Sequence, residues 1–273
     1  MKVTVLGSGS RGNAVLVQAD GVSVLVDAGF SGKDLARRMA AVDVAPEALD
    51  AIIITHEHGD HTRGMGVFAR RFGTPLYLTP RTRRACRRLL RGIERVVEYD
   101  SARAFRVGAL EIRPFLTVHD AVDPVAVTVA DTRTGSRLGV ATDLGRPTTS
   151  VRHALSACHV LVLEANHDDE RLWSGPYPWS VKQRIASSHG HLSNRAAAEL
   201  ARELCHDGLA AVVLAHLSDS CNDPGLARDI VGTGLEGTPF RGSLDVADQE
   251  APGAPMDVEA LRRRAAPAQL SLF

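Results

Sequence analysis

A chain of 273 residues, 44% of them hydrophobic, is long enough to bury a sizeable core, and we expect one domain followed by a tail. Basic residues (Lys plus Arg) and acidic residues (Asp plus Glu) number 32 each, so the net charge says nothing about a polyanionic partner, and only the distribution of charge can decide. The four cysteines include no Cys-x-x-Cys pair and are too few for a disulfide scaffold, so we expect free thiols in a reducing compartment. There is no signal-peptide pattern and no apolar run long enough to cross a membrane, so we expect a cytoplasmic protein with no membrane partner.

The N-terminal region has the pattern of a β-meander. Short apolar runs at 2–6, 14–18 and 22–26 are separated by Gly-rich or Asp-Gly turns. The glycine-rich turn at 7–13 resembles a phosphate-binding loop, but it lacks the Lys-Ser/Thr ending, and a structural turn is the preferred interpretation. Ser31 is predicted to cap a helix that runs through Met39.

Residues 52–61 read Ile-Ile-Ile-Thr-His-Glu-His-Gly-Asp-His. The β-branched apolar run predicts a buried strand that ends in polar side chains. Imidazoles and carboxylates together suit zinc or a similar divalent ion, and a tight turn at Gly59 would let neighbouring side chains reach two ions. The alternative is a polar loop that happens to be rich in histidine. The candidate ligands are His56, His58, Asp60 and His61.

The pattern resembles the signature of the metallo-β-lactamase superfamily, His-x-His-x-Asp-His after a strand, followed by a separate His, an Asp and a last His. The later members are matched by His119 in Leu-Thr-Val-His-Asp-Ala, Asp143 in Ala-Thr-Asp-Leu-Gly and His216 in Leu-Ala-His-Leu-Ser. The resemblance implies that one ion is held by His56, His58 and His119, the other by Asp60, His61 and His216, and that Asp143 bridges them. Asp27 would orient ligands through hydrogen bonds.

After this motif a helix is predicted at 64–72 and a strand at 76–78, followed by residues 81–95, which we call the basic segment. It contains seven arginines and one glutamate. As a single helix it would carry an apolar face, formed by Cys86, Leu89, Leu90 and Ile93, opposite an arginine face. Arginines on one helix face suit phosphate backbones, and the alternative is an ordinary solvated helix. The candidate DNA contacts are Arg84, Arg88 and Arg91.

The second half repeats apolar strands that end in polar residues. Strands are predicted at 109–115, 125–130, 137–141, 159–163 and 212–215, and Ser193 is predicted to cap a helix over 194–206. Two halves of meander strands followed by helices predict an α/β (α+β) fold, an αββα sandwich with the metals at one edge. The resemblance implies that this is the four-layer αββα metallo-β-lactamase sandwich.

Four further motifs resemble the WalJ (YycJ) family: Glu164-Ala-Asn-His-Asp168, Gly175-Pro-Tyr-Pro-Trp179, Lys182-Gln-Arg-Ile185 and Gly190-His-Leu-Ser-Asn194. The opening Gly-Ser-Gly-Ser-Arg-Gly-Asn is also similar, and the resemblance covers residues 1–242 in order. It implies a two-metal 5′-to-3′ exonuclease on double-stranded DNA, linked to mismatch repair, with Zn²⁺ or Mn²⁺ as cofactor.

The same resemblance suggests which residues act on the substrate. His191 would contact the scissile phosphate or protonate the leaving oxygen, near the helix capped by Ser193. For Asn166, His167 and Asp168 the alternative is a hydrogen-bonded lock of the loop, and His191 has a structural alternative as well. The expected catalytic residues are Asp60, His191, Asn166, His167 and Asp168, and Ser193 and Asn194 are expected to bind substrate.

From residue 243 the chain becomes rich in alanine, proline and acidic residues. We predict a domain over 1–242 and a flexible tail over 243–273, with a short helix at 258–265. The last five residues, Gln269-Leu270-Ser271-Leu272-Phe273, resemble the peptide that bacterial polymerases and repair proteins insert into the replication sliding clamp. The alternative is an apolar strip that docks on its own domain.

These observations favour a DNA exonuclease recruited to replication by its tail. A second hypothesis is a small-molecule hydrolase of the same fold, acting on a thioester, another ester or a cyclic phosphodiester. A third is a clamp-binding adaptor with a vestigial metal site, which the complete ligand set argues against.

Overall fold

Two seven-stranded sheets, packed face to face with helices on both outer sides, form the described part of the chain, residues 1–265, in the computed structural model. The strands are, in chain order, β1 (Lys2–Gly7), β2 (Ala14–Ala19), β3 (Val22–Val26), β4 (Ala51–Ile53), β5 (Leu76–Leu78), β6 (Val96–Glu98), β7 (Phe105–Val107), β8 (Leu110–Leu116), β9 (Val125–Asp131), β10 (Arg137–Ala141), β11 (Val160–Glu164), β12 (Ala211–Ala215), β13 (Ser243–Val246) and β14 (Met256–Asp257). The helices are α1 (Gly32–Ala40), α2 (Gly59–Thr62), α3 (Met65–Phe72), α4 (Pro80–Ala85), α5 (Thr149–Leu155), α6 (Asp169–Ser174), α7 (Trp179–Ile185), α8 (Asn194–Glu203), α9 (Pro224–Leu235) and α10 (Val258–Ala265), with 3-10 turns at Pro46–Ala48 and Cys86–Arg88.

Both sheets mix antiparallel and parallel strands. The first has the order β14-β1-β2-β3-β4-β5-β6, and the second has the order β13-β12-β11-β10-β9-β8-β7. Strands β3 to β6 are parallel in the first sheet, and β10 to β13 are parallel in the second. Because the carboxyl ends of parallel strands lie at one edge of a sheet, the residues that follow these strands are brought near each other.

Three apolar cores separate the four layers. One lies between the sheets, one between the second sheet and α5, α8 and α9, and one between the first sheet and α1 and α3. Strand β12 shows the alternation that builds two of them, because Val213 faces the other sheet while Val212 and Leu214 face the helices. Each fully buried side chain of this size contributes about 1.5–3 kcal/mol. The predicted αββα sandwich of the α/β (α+β) class is confirmed.

The predicted helix starts agree with the structure. Ser31 Oγ accepts a hydrogen bond from the Asp34 N–H at 3.2 Å and begins α1, and Ser193 Oγ accepts one from the Ala196 N–H at 3.3 Å and begins α8. Among residues 1–265, no helix combines the length and the apolar character that a membrane crossing requires. The four cysteines are free thiols.

The basic segment differs from the prediction of one continuous helix. Helix α4 is followed by a single 3-10 turn that ends at Arg88, and Gly92 adopts a φ of 80°. The Glu94 carboxylate accepts hydrogen bonds from the Arg91 and Gly92 N–H groups at 3.0 Å, which closes the chain into a loop. As a result Ile93, predicted to lie on an apolar face, is 77% exposed.

The boundary predicted after residue 242 does not coincide with the end of the folded chain. Strand β13 adds to the second sheet beside β12, β14 pairs with β1, and α10 follows with Val258 fully buried. The Gln249 side chain bonds the 11–12 backbone, accepting from the Arg11 N–H at 2.8 Å and donating to the Gly12 carbonyl at 3.0 Å. The prediction of a flexible tail was wrong for 243–265. A strand at a sheet edge is stabilised by hydrogen bonds to its neighbour and does not need a strongly apolar sequence. The predicted clamp-binding peptide, 269–273, lies outside the described residues.

Candidate metal centre

Five strands deliver polar residues to one edge of the sandwich. Asp27 follows β3, the histidine motif follows β4, Asp143 lies after β10, Glu164 ends β11 and His216 follows β12. Asp27, Asp143 and His216 have left-handed backbone conformations, with φ of 64°, 59° and 57°. Such conformations cost on the order of 1–3 kcal/mol for residues other than glycine. The surrounding sheets therefore hold three site residues in strained positions.

The histidine motif forms a loop that leads into α2. Its backbone is held from outside, because the Asn13 N–H donates to the Asp60 carbonyl at 2.8 Å and the Ala28 N–H donates to the His61 carbonyl at 2.7 Å. Gly59 has no left-handed φ, and a Cβ there would meet nothing within 4 Å. The chain turns at Gly59 as predicted, at the start of α2, where the His61 N–H donates to the His58 carbonyl at 3.0 Å, and this turn does not require a glycine.

In four of the histidines, Nδ1 contacts a protein group outside the candidate metal centre, and Nε2 faces the candidate metal centre. Nδ1 lies beside Thr55 Oγ1 in His56 (3.0 Å), Asp27 Oδ2 in His61 (2.8 Å), the Gly190 carbonyl in His119 (3.0 Å) and Glu164 Oε1 in His216 (2.9 Å). These partners set the tautomer and orient Nε2 toward a cation. His58 is different: its Nδ1 faces inward, 3.3 Å from Nε2 of His119.

Asp143 stands between two groups of donor atoms. Its Oδ1 lies 3.4 Å from His119 Nε2, whereas its Oδ2 lies 3.1 Å from His61 Nε2. Donor atoms within 4.8 Å of one another form three groups, which share Asp143 and His216: His56, His58, His119 and Asp143; Asp60, His61 and His216; and Asp143, Glu164, His191 and His216. The structure thus brings together all seven residues that the sequence predicted as ligands.

Two buried atoms at this centre have no hydrogen-bond partner within residues 1–265, His56 Nε2 and Asp143 Oδ2. Buried polar atoms are nearly always paired, since an unpaired one costs about 1–3 kcal/mol. A cation in each of the first two groups would satisfy both atoms, and imidazole nitrogens with carboxylate oxygens suit zinc or manganese. The residues present therefore fit two divalent ions.

Burial and neighbouring charges shift the pKa values in opposite directions. Burial opposes charge on His61, but the surrounding carboxylates, led by Asp143, raise the pKa of its ring well above the ordinary value. Burial, together with the charge on His61, lowers the pKa of His56 well below its usual range. Burial would raise the pKa of the Asp143 carboxyl, but His216 and His61 hold it well below its usual range. Without metal, the His61 ring therefore holds a proton that a cation must displace.

Glu164 belongs to the site, and sequence reasoning missed it. Its carboxylate is fully buried and accepts four hydrogen bonds. Oε1 accepts from Nδ1 of His191 (2.8 Å) and His216 (2.9 Å), and Oε2 accepts from the N–H groups of Leu144 (2.8 Å) and Leu192 (3.0 Å). Burial would raise the pKa of this carboxyl, but the two histidines hold it at about 2. The available signal was a polar residue at the end of an apolar strand, as at the other site positions.

His191 reaches the site from the loop before α8. Its ring centroid lies 5.1 Å from those of His119 and of His216, and 21% of its side chain is exposed. Nδ1 is engaged with Glu164, and Nε2 makes no hydrogen bond within the described residues. Burial opposes charge on the ring, but Glu164 raises the pKa of His191 above its ordinary value. A protonated ring in this position can donate to an oxygen in the cavity.

The loop before α6 and the start of α8 are mainly bonded to the protein itself. Asn166 lines the cavity, and its Nδ2 donates to the His216 carbonyl at 2.8 Å. His167 is buried and pairs through its backbone with Ser193, and Asp168 Oδ1 caps α6 by accepting from the Arg171 N–H at 3.0 Å.

Asn194 is likewise turned away from the cavity. It is 1% exposed, and its amide exchanges hydrogen bonds of 2.8 and 2.9 Å with that of Asn222. The lining of the cavity does not include His167, Asp168, Ser193 or Asn194, and their expected catalytic and substrate-binding roles stay predictions. The cap made by Asp168 and the backbone pairing of His167 fit the alternative of a loop lock.

A cavity of about 320 Å³ opens above the donor groups. Its floor includes His58, Asp60, His119, Asp143 and His216. One wall is formed by α7 and the residue Tyr177 before it, and His191 and Asn166 also line it. The arrangement can hold a substrate oxygen next to two cations and a proton donor.

The basic segment does not line this cavity. Arg84 borders a separate groove together with Arg83 and Arg87. Arg88 and Arg91 are exposed and line neither this groove nor the cavity. Helix α4 follows β5, which is parallel to β4, so the segment begins at the same edge as the histidine motif.

Comparisons with known proteins agree with this geometry. A family model described as the Beta-lactamase superfamily domain matches residues 23–217. Exodeoxyribonuclease YycJ of Bacillus anthracis is 35% identical over 237 residues, which are 85% of this chain and 88% of that protein. Exodeoxyribonuclease WalJ of Streptococcus pneumoniae is 35% identical over 233 residues, 83% of this chain and 85% of that protein.

Among solved structures, the metallo-β-lactamase fold protein YhfI from Bacillus subtilis superposes with a TM-score of 0.71 at 22% identity, covering 92% of this chain and 98% of that one. This likeness shows a shared fold. The resemblance to the WalJ (YycJ) family, carried in the sequence by the Asn-His-Asp and Gly-His-Leu-Ser-Asn motifs, is confirmed by the identity to both named relatives. The chain therefore belongs to the β-lactamase superfamily and, within it, to the family of YycJ and WalJ.

Proposed function

We propose that this protein is a DNA exonuclease that uses two divalent ions, Zn²⁺ or Mn²⁺, to hydrolyse phosphodiester bonds, 5′-to-3′ on double-stranded DNA, in the cytoplasm. The observation that carries the proposal is the set of overlapping donor groups, with Asp143 3.4 Å from His119 and 3.1 Å from His61, at the floor of an open cavity. The family supports the choice of substrate, because both relatives described above are named exodeoxyribonucleases.

When bound, two divalent ions lower the pKa of water and stabilise the charge that develops on phosphate oxygens. One would be held by His56, His58 and His119 and the other by Asp60, His61 and His216, with Asp143 between them. Asp27 and Glu164 orient His61 and His216 through Nδ1. Asn166 supports the same arrangement by bonding the His216 carbonyl.

His191 is the residue best placed to act on the leaving group. Glu164 holds its Nδ1 at 2.8 Å, which leaves Nε2 for the cavity. In our proposal Nε2 donates a proton to the leaving oxygen, or a hydrogen bond to the scissile phosphate. Because Glu164 bonds both His191 and His216, it couples the position of the proton donor to that of a metal ligand.

Exposed arginines support DNA as the substrate. Arg84, Arg88 and Arg91 form no ion pair within residues 1–265, and all three are exposed. Free guanidinium groups near the metal-bearing edge suit DNA phosphates. We propose that they bind the duplex away from the point of cleavage.

We also propose a role in mismatch repair and recruitment by the replication sliding clamp through residues 269–273. The support is the WalJ resemblance for the pathway and the sequence of the last five residues for the clamp. The two ideas are separate from the chemistry, since loss of clamp binding would leave hydrolysis of naked DNA intact.

The test is digestion of linear duplex DNA labelled separately at its 5′ and 3′ ends, with Zn²⁺ or Mn²⁺ added to metal-stripped protein. We expect metal-dependent release of mononucleotides from the 5′ end. Asp60→Ala should abolish it and lower the metal content while the circular dichroism spectrum is kept, and Asp229→Ala, an exposed site on α9, should behave as wild type.

Three results would count against the proposal. Full activity in Asp60→Ala would refute the site. Release from the 3′ end would refute the polarity. Turnover of a small ester or cyclic phosphodiester with no cleavage of duplex DNA would favour the small-molecule hydrolase.

A further inference from the structure

Helix α7 forms a wall of the cavity. Val181, Arg184 and Ile185 line it from one face of the helix. Arg184 Nε donates to Asp120 Oδ2 at 2.5 Å, and Asp120 Oδ1 lies 3.4 Å from Nε2 of His119. This inner face is therefore anchored beside the metal ligands.

The opposite face of α7 carries an aromatic pair. At about 100° per residue, Trp179 points roughly half a turn away from the side chains that line the cavity. Trp179 is 64% exposed, and its ring centroid lies 5.1 Å from that of Trp173, which is 43% exposed. Lys182 Nζ donates to the Trp173 carbonyl at 2.7 Å, which places a positive charge beside the pair.

The pair has the chemistry of a binding surface for unpaired bases. Exposed aromatic rings next to a cation are what proteins use to stack bases of single-stranded nucleic acid without sequence preference. Large exposed aromatics are uncommon where they serve no contact. The positive charge of Lys182 beside the pair complements a phosphate backbone.

The cavity on the inner face is small, with a volume of about 320 Å³ that is near the lower limit of small-molecule sites. If one strand of a duplex enters, the complementary strand must leave its partner. Helix α7 is the structure that separates the cavity from the aromatic pair.

We propose that α7 is a wedge that parts the two strands at a duplex end. The strand to be cut enters along Val181, Arg184 and Ile185, and the unpaired bases of the complementary strand stack on Trp179 and Trp173. The ligand of the outer face is single-stranded DNA. This inference rests on the proposed nuclease function and adds how the substrate end is opened.

Intrinsic fluorescence tests the proposal directly, because the chain has 2 tryptophans and both lie in this pair. The metal-loaded protein is titrated with hairpin duplexes whose linkages are nuclease-resistant phosphorothioates. We expect a hairpin with a short unpaired 3′ extension on the uncut strand to quench the fluorescence with about tenfold tighter binding than a blunt hairpin, the size of one stacked base. A closed dumbbell without ends should not quench. Equal quenching by the dumbbell, or no gain from the extension, would overturn the wedge.

Kinetics supply the second arm. For a blunt duplex, Trp179→Ala should raise KM about tenfold and leave kcat unchanged, and Trp179→Phe should restore most of the loss. The control is Val67→Ala, an apolar residue of α3 that is 53% exposed, which should not change KM.

The outcomes separate this inference from the proposed function. A wild-type protein that cleaves no DNA but still binds the extension through Trp179 would refute the nuclease and keep the single-strand site. A wild-type nuclease whose Trp179→Ala variant keeps both KM and affinity for the extension would refute the wedge alone. If DNA-free Trp179→Ala differed from wild type in its sedimentation coefficient but not in its DNA affinity, the aromatic pair would be a contact between two copies of the protein. That result would overturn the inference.

Discussion

Replacing Glu164 by glutamine tests whether its carboxylate keeps His191 and His216 in the orientation that the site needs. The carboxylate accepts from both Nδ1 atoms at 2.8 and 2.9 Å and from two backbone N–H groups at 2.8 and 3.0 Å. Glutamine has nearly the same shape but offers one oxygen and one NH₂ group. In either orientation, the NH₂ group faces two groups that are themselves donors.

Both orientations are costly. If the NH₂ group faces the backbone, two buried N–H groups lose their acceptor, at about 1–3 kcal/mol each, so the free energy of unfolding of the metal-free protein should fall by about 2–6 kcal/mol. If it faces the histidines, the His216 ring is driven toward the tautomer that carries its proton on Nε2, the atom 3.2 Å from Asp60 Oδ2. Removing a group that orients a ligand in this way typically weakens metal binding by about 10–100-fold.

The assay combines calorimetric titration of Zn²⁺ into metal-stripped protein with urea unfolding of the same samples. The control is Glu203→Gln, which alters a carboxylate that is 47% exposed and paired with Arg152. It should change the free energy of unfolding by less than about 1 kcal/mol and leave the Zn²⁺ affinity as in wild type. A Glu164→Gln protein with wild-type Zn²⁺ affinity would refute the idea that this carboxylate orients the ligands.

Four further predictions concern other parts of the molecule. Gly29→Ala should lower the free energy of unfolding by about 3 kcal/mol or more, because its Cβ would lie 1.7 Å from the Asp60 carbonyl oxygen. The control Gly59→Ala, whose Cβ would meet nothing within 4 Å, should unfold at the wild-type urea concentration. Equal urea midpoints for the two variants would contradict this prediction. Burial, with the charge of Arg262, lowers the pKa of His159 to about 4 from 6.5. Between these two pH values the native state binds fewer protons than the unfolded state, so the free energy of unfolding falls as the pH falls from 6.5 to about 4. His159→Gln should reduce this fall by about 1 kcal/mol in urea unfolding, allowing for partial exposure, and an unchanged pH slope would disprove the assignment. Neutralising the three candidate arginines of the basic segment should weaken DNA binding and flatten its dependence on salt, and an unchanged slope would return them to an ordinary solvated surface. Deleting the last five residues should remove sliding-clamp binding in a pull-down and leave cleavage of naked DNA unchanged; normal clamp binding by the truncated protein would contradict it.

Local patterns in the sequence were sufficient for most of the framework. The strands are short apolar runs between Gly- or Asp-rich turns, and Ser31 and Ser193 are residues whose side chains cap helices without help from distant parts of the chain. The four-layer sandwich follows from the order of these elements. The grouping of the expected ligands was implied by the superfamily that the motif resembles, and the structure brings the three residues of each expected ion together.

Other features depend on contacts between residues far apart in the chain. The basic segment becomes a loop because Glu94 bonds the backbone of Arg91 and Gly92, and β13 forms because β12 offers an open sheet edge. Neither event is visible in helical periodicity or composition.

What the sequence by itself determined about this protein is the set of candidate metal ligands, the positions of most of its strands and the family to which it belongs, because local apolar runs mark the strands and the motifs carry the resemblance. Only the tertiary structure decided that Glu164 holds two histidines at once, that His167 and Asn194 are buried outside the lining of the cavity, and that α7 separates a cavity from an aromatic pair. The physical reason is that a side chain's role depends on its direction and its partners, and these are set when both sheets pack together.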